Sequence, residues 1–331
     1  MERDSVAAAN IVFATSTAQL PTTFGSDLAG ADALCAARAN AAALPGTFVA
    51  FLSTSMINAG DRLAGARGWV RPDGRPFADQ VDDLVNGTIV FPPRLDEAGN
   101  DLGGAHVVSG TQGGGTASTS CSDYSDPAGM IRFGSTDGTY EAWFTRGFDP
   151  CNQPARIYCF GTSLARPVTI TPEIGRRAFV TVGTFAPGGG VAAADALCAS
   201  EAQAAGLSGT FQALLETSTA GAASRFSLSG ATWVRLDGVP IVDSPAQLAT
   251  GILNTSLSVT AAGAHLDGAV TFTGATTNDL ASPQPAPDTC SDWTTSSGST
   301  SLGNTFYGYE AAVSWSSGTC NAAYSLYCLE E

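Results

Sequence analysis

Few side chains in this sequence have the chemistry to run a reaction. There are two histidines, His106 in GGAHVV and His265 in AGAHLD, each placed after a Gly-Ala pair. An imidazole base becomes a catalyst by activating a serine or cysteine nucleophile. No GxSxG run stands at a strand-to-helix junction, so both histidines read as structural or surface groups. LDEAGNDLGG places Asp96, Glu97, Asn100 and Asp101 within six residues. A hard cation takes several oxygens from one flexible loop, which makes Asp96, Asn100 and Asp101 candidate calcium ligands, against the alternative of a solvated acidic loop. The EF-hand spacing is missing, and the second half of the chain has no equivalent acidic run. Asp123 and Asp126, near Cys121, form a weaker candidate. GTQGGGTAS and PGGGVAA have no following lysine and no nucleotide-fold setting, and read as flexible turns. Trp69 and Trp233 share a position beside a V-R-x-D-G turn and read as packing. Trp143 and Trp315 lie in cysteine-bounded loops, where an exposed indole can anchor a partner; they are the candidate ligand-binding residues.

The eight cysteines are an even set without a CxxC pair. With only two histidines, zinc-ribbon and redox-motif readings have little support, and disulfides formed in an oxidising compartment fit better. The segment MERDSVAAANIVFATS has no basic stretch followed by a sustained apolar run. The expectation is therefore an extracellular or cell-surface protein whose export signal is not in this chain. No stretch approaches membrane-spanning length, so membrane insertion is not expected. The formal net charge is −15, every basic residue is arginine, and charged residues are 14% of the chain. Such a field repels nucleic acid. The 44% apolar fraction is enough to fill real cores.

These groups need a frame, and the frame is written twice. AGADALCAARANAAALPGTF returns as AAADALCASEAQAAGLSGTF, with the cysteines 163 residues apart. GTFVAFLST answers GTFQALLET, Arg62 answers Arg225, WVRPDGRP answers WVRLDGVP, SCSDYS answers TCSDWT, and RIYCF answers SLYCL. Cys121 to Cys151 spans 30 residues and Cys151 to Cys159 spans 8, and Cys290, Cys320 and Cys328 repeat both spacings. Only the middle stretches, from 86 residues between Cys35 and Cys121 to 92 between Cys198 and Cys290. Constant ends with an elastic middle indicate a fixed frame carrying a variable loop region. The expected division is a domain at 8–163, a connector at 164–176 stiffened by two prolines, and a second domain at 177–331.

Each half reads as a β run, a helix, a strand, a loop-rich middle and a closing strand, with its two ends paired: a loop-rich α+β domain. Leu28, Ala31, Cys35, Ala39 and Ala42 mark one face of the first helix. Asp32 and Asp195 are expected in the first helical turn, where a carboxylate suits the dipole. Ser244-Pro245-Ala246-Gln247 is a capping-box signature with Gly251 to close the helix, and ADQVDDLVNG stands at the equivalent place. Four cysteines allow three pairings per half. A bridge from Cys35 on the helix to Cys159 on the last strand would tie the front of the domain to its back. The pairing chosen is first-to-fourth and second-to-third: Cys35–Cys159, Cys121–Cys151, Cys198–Cys328 and Cys290–Cys320. Each bridge would contribute roughly 3–5 kcal/mol by loop closure.

These motifs resemble endostatin, the C-terminal module of certain collagens, and more closely the bacterial endostatin-like domain of leptospiral outer-surface proteins. FATS, ADALC, GTFVAFLST, PDG, CSDY and IYCF carry the likeness in the first half; FVTVGTF, ADALC, GTFQALLET, LDG, CSDW and LYC carry it in the second. The resemblance covers nearly the whole chain, once per half. It implies two tandem C-type-lectin-like folds stapled by nested disulfides, and a secreted or surface binding role, since leptospiral members associate with host matrix and complement-regulator proteins. Endostatin's N-terminal zinc histidines have no counterpart here, its basic heparin surface is replaced by an acidic one, and the EPN and WND motifs of calcium-dependent lectins do not occur. The expected function is an exported, non-enzymatic adhesion protein recognising matrix-type proteins or glycans through tandem modules, with no cofactor unless calcium occupies the Asp96 loop. The alternatives are a passive structural surface component and a hydrolase using loop carboxylates, the latter needing two carboxylates across one cleft.

Overall fold

The structure is a computed structural model and describes residues 9–285 and 288–331. The expected first residue of domain one, residue 8, and the first half of the segment read for an export signal lie outside the described residues. The chain forms two compact units, Met1–Ile170 and Thr171–Glu331. Each is mixed α and β, with several short strands and long irregular connections.

The first unit is built around β1 (Asn10–Ala14), buried along its whole length. Its neighbours run β2 (Phe48–Ala50), β8 (Tyr158–Gly161), β1, β3 (Trp69–Val70) and β4 (Pro76–Ala78). The first and last strands of the unit are antiparallel partners, with Phe13 opposite Cys159. Because successive side chains point to opposite faces, β1 serves two cores. Ile11 and Phe13 join the cluster under the helix, while Val12 and Ala14 join the cluster under the loops with Trp69, Trp143 and Phe160. Both faces are covered, so NIVFA needs no polar alternation.

Helix α1 (Ala29–Ala41) buries Ala31, Cys35 and Ala39. These small side chains let it lie close to the sheet, and the Cys35–Cys159 bridge joins it to β8 with Cα atoms 5.4 Å apart. Asp32 sits in its first turn, but its bonds go to the sheet. Its carboxylate accepts from the Ala50 N–H at 2.9 Å and from Arg62 at 2.6 Å, while Arg62 also donates to the Ala50 carbonyl. The pair thus satisfies the open edge of β2, which would otherwise present unpaired backbone groups.

The second unit repeats this plan with β9 (Arg176–Val180), β10 (Phe211–Ala213), β11 (Trp233–Arg235), β12 (Val270–Phe272), β13 (Ser299–Asn304), β14 (Ser316–Thr319) and β15 (Ser325–Glu330). Strand β9 again pairs antiparallel with the closing β15. Helix α2 spans Gly190–Ala204, so Asp195 lies in its second turn and not in the first as expected. The clasp is unchanged: Asp195 accepts from Ala213 N–H at 2.9 Å and from Arg225 at 2.7 Å. The helix expected from Ser244 is a 3-10 turn, Pro245–Thr250, closed by Gly251 at φ 60°. The Ser244 side chain makes no capping bond; the Gln247 side-chain amide oxygen instead accepts from the Asp243 N–H at 2.8 Å.

Three strands of the first unit stand apart: β5 (His106–Val108), β6 (Met130–Ser135) and β7 (Gly147–Pro150). Their counterparts β12, β13 and β14 join the main sheet of the second unit through a parallel pairing to β15. In the first unit that contact is the single bridge between Val107 and Arg156.

The two CSD motifs form the least ordinary backbone of each unit. All four residues of Cys121–Tyr124, and all four of Cys290–Trp293, have φ between 50° and 65°. A left-handed turn of non-glycine residues costs about 1–2 kcal/mol per residue, so it must be held. The disulfide to Cys151 or Cys320 holds one end. Asp123 accepts from the N–H and hydroxyl of Ser55, and Asp292 from those of Ser218. The closing aromatic is buried and donates inward, Tyr124 to the Ser53 carbonyl and Trp293 to the Glu216 carbonyl. Hydrogen bonding to Ser55 keeps the Asp123 carboxyl below the ordinary range despite its partial burial.

Candidate binding surface

The residues expected to hold calcium are held by the protein itself. Asp96 is buried, and its carboxylate accepts from the backbone N–H groups of Ala98 and Asn100, each at 2.9 Å, and from the Asn100 side chain. Asp101 pairs with Arg94 at 3.0 Å, and Glu97 accepts from the Ser16 N–H and hydroxyl. The second unit builds the same turn at 258–266: Thr260 N–H bonds Ala264 and Leu266 N–H bonds Ser258, as Asp96 bonds Asn100 and Leu102 bonds Arg94. There Thr260 stands for Asp96 and His265 for Asp101, so the loop closes without a carboxylate ring. In this arrangement the Asp96 and Asp101 carboxylates are occupied in closing the turn. Among the described residues no three His, Cys, Asp or Glu side chains gather as metal ligands. Asp126 bonds the Ala128 N–H, and Asp123 is committed to Ser55.

The histidines are equally local. His106 is exposed, stacks on Phe133 with ring centroids 3.9 Å apart, and lies 3.1 Å from Asp149. His265 lies 4.0 Å from Asp267. The two V-R-x-D-G turns are structural. Arg71 grips Asp73 and the Pro92 carbonyl, as Arg235 grips Asp237 and the Ser256 carbonyl. Trp69 and Trp233 are buried beside them and donate to the carbonyls of Gly161 and Glu330. Two clefts of the first unit, of 350 and 210 Å³, lie along the Arg67–Asp79 ion pair; in the smaller one Asp79 is engaged by Arg67 and the Val168 N–H, and Asp83 by the Gln80 N–H, while Asp82 lines the larger.

The four bridges in the structure are Cys35–Cys159, Cys121–Cys151, Cys198–Cys328 and Cys290–Cys320. The candidate indoles part company. Trp143 is fully buried, packed by Phe51, Phe77 and Tyr158 at 4.8–5.3 Å between ring centroids. It presents nothing to a partner, and the expectation that it binds one is corrected. Trp315 is 41% exposed at the entry to β14.

Sequence reasoning passed over the surface on β6 and β7. Arg132 lies opposite Phe148 and Met130 opposite Pro150, so all four share one face of the ribbon. Phe148 and Met130 are 48% and 43% exposed, and the Arg132 guanidinium sits 4.1 Å above the Phe148 ring. A cation over an aromatic face is favourable, and here it props the ring at the surface. The ribbon is anchored by Cys151, which directly follows β7. Trp315 precedes the equivalent strand of the second unit by one residue. The available signal was the alternation in MIRF and GFDP next to a cysteine, too short to count as a pattern on its own.

Two buried acids complete the electrostatics. Burial raises the Asp137 carboxyl above its ordinary value against the pull of Ser135, Arg146 and Arg94. Glu216 is fully buried with only the Ala222 N–H near its carboxylate, and burial pushes it up to about 8. No protein-family model matches the chain, and no curated protein matches it.

Proposed function

We propose that the chain is an exported, non-enzymatic binding protein made of two endostatin-like, C-type-lectin-like modules that recognise extracellular protein or glycan ligands. The observation that carries this reading is the disulfide-anchored β6–β7 ribbon, which holds Phe148, Arg132 and Met130 at the surface. Trp315 stands at the matching ribbon of the second unit. Aromatic and arginine side chains are the residues that most often dominate protein recognition, and one such site per module supports avidity for a repetitive ligand. Four disulfides suit an oxidising compartment. Among the described residues no helix is long and apolar enough to cross a membrane. Several loop acids on which a hydrolase reading depends, Asp79, Asp83, Asp96 and Asp101 among them, are engaged in ion pairs and turn closures, which favours binding over that alternative.

The test is a panel of matrix proteins and glycans probed with the full oxidised chain, with calcium and with chelator. Phe148→Ala and Trp315→Ala, singly and together, are the variants. The expected result is a hit weakened at least tenfold by the double variant and unaffected by chelator. A hit indifferent to both substitutions overturns the assignment of the ribbon, and silence across the panel favours a passive structural component.

A further inference from the structure

The binding reading makes no use of Glu216, although it is the most anomalous polar group in the second unit. The internal repeat shows what its position normally requires. Its counterpart Ser53 is buried too, but the Ser53 hydroxyl accepts from the Ala59 N–H at 2.9 Å and pairs with the Thr111 hydroxyl at 2.7 Å. In the second unit Ala222 replaces Ala59 and Ala275 replaces Thr111, so the hydroxyl partner is gone and a longer, ionisable side chain fills the space. The Ala222 N–H is its one favourable neighbour. Asp279 repels it, and no basic side chain among the described residues offsets that repulsion. Asp292, in the turn that Glu216 meets through Trp293, is bound to Ser218 two residues along the chain.

Glu216 is also placed where a change of charge would be felt. Its carbonyl accepts the Trp293 indole N–H at 2.8 Å, and its own N–H bonds the Thr273 carbonyl at 2.8 Å. Gly274, against which Glu216 and Trp293 both pack, has no room for a side chain without shifting them. The segment from Glu216 to Ala222 and the left-handed turn Cys290–Trp293 are therefore joined through Glu216 as well as through the Ser218–Asp292 bonds.

We propose that Glu216 is a proton-operated latch: as a neutral acid it keeps the Glu216–Ala222 segment and the Cys290–Trp293 turn closed, and loss of its proton opens them. A carboxylate buried beside one backbone N–H and repelled by Asp279 is disfavoured, and opening hydrates it. The closed form holds the proton up to a pH of about 8, and the opened form releases it near the ordinary glutamate value of 4.5. Closure is thus fully favoured below 4.5, weakens as pH rises between the two values, and stays weak above. From pH 6 to pH 9 the opening constant rises about a hundredfold by this linkage. The first unit, with Ser53, has no such term.

The test uses the full oxidised chain, labelled with ¹³C at the glutamate carboxyls and compared with Glu216→Gln. One carboxyl resonance titrating between pH 7 and 9, absent in Glu216→Gln, is expected. Hydrogen exchange at pH 6 and pH 9, corrected for intrinsic rates, should show protection at 211–222 and 288–298 falling about a hundredfold in the wild type and unchanged in the variant. Segments 48–59 and 119–129 should not respond. If Glu216→Gln fails to fold, Glu216→Ser with Ala275→Thr installs the hydroxyl pair of the first unit and should show the same loss of pH response. Glutamates that all titrate below pH 6, or a titration near 8 without loss of protection, overturns the latch.

Discussion

Glycine normally weakens a folded position because the unfolded chain gains freedom; at Ser122 and Ser291 it should do the opposite. Both residues are exposed, their hydroxyls make no hydrogen bond in the structure, and their φ angles are 51° and 50°. Relief of the left-handed conformation is worth about 1–2 kcal/mol, against about 0.5–1 kcal/mol of added backbone entropy in the unfolded chain. Ser122→Gly and Ser291→Gly are therefore each expected to stabilise their unit by about 0.5–1 kcal/mol. Valine, whose branched side chain clashes in this region, should destabilise by about 1–3 kcal/mol at the same positions. Ala36→Gly, on the exposed face of α1, is the control and should cost about 1 kcal/mol. Urea titration of the oxidised chain, followed by tryptophan fluorescence, reads all five variants. If the two serine-to-glycine variants lose stability as the control does, the CSD turns are not left-handed, and the account of why they need a disulfide and an aspartate clasp fails with them.

Removing the outer bridge by Cys35→Ala with Cys159→Ala opens a loop with a sequence separation of 124 and should cost about 5 kcal/mol, against about 3.6 kcal/mol for Cys121→Ala with Cys151→Ala at a separation of 30. A calorimetric loss below about 2 kcal/mol for the outer pair would mean that α1 is not fixed by its cysteine. Asp32→Ala should cost about 1.5 kcal/mol, the low end for a charged hydrogen bond because the carboxylate is one-third exposed; a double-mutant cycle with Arg62→Ala should show coupling, and Asp195 with Arg225 should repeat it. Trp143→Ala should lose about 3–5 kcal/mol, whereas Trp315→Ala should leave stability within about 0.5 kcal/mol and change only binding. Millimolar calcium should leave the melting temperature where chelator leaves it, and a rise that Asp96→Ala abolishes would restore the metal site.

The parts of the fold legible in the sequence were those governed by local periodicity. Helix α1 announced itself by Ala31, Cys35 and Ala39 at steps of four, and the closing strands by RIYCF and SLYCL. What stayed hidden depended on contacts between distant segments. Asp32 looked like a dipole residue because nothing local shows that Arg62 and Ala50 will meet it. Asp96, Asn100 and Asp101 were counted as oxygens on a loop, but Ala98 and Asn100 donate to Asp96, and Arg94 and the Gly103 N–H reach Asp101. CSDY has no glycine to mark positive φ, so the left-handed turn leaves no local signature. Trp143 stands in a cysteine-bounded stretch, and only the meeting of β8 with Phe51 and Phe77 puts it inside.

The repeat supplies a rule that neither unit offers alone. Where the two copies agree, the side chains are occupied with the frame: the Asp32–Arg62 and Asp195–Arg225 clasps, Arg71 and Arg235 on their aspartates, Trp69 and Trp233 on closing-strand carbonyls. Where they differ, at Phe148 against Ser317, Arg146 against Trp315, and Ser53 against Glu216, the same backbone position carries a different chemistry. The frame contacts are identical in kind on both sides, so these differences are not demanded by folding. A ligand that meets Phe148 in one module and Trp315 in the other faces two distinct surfaces on one scaffold. Exchanging the residues between modules, Phe148→Ser with Ser317→Phe, should therefore move affinity from one unit to the other while leaving both folded; affinity lost from both would place recognition in the shared frame instead.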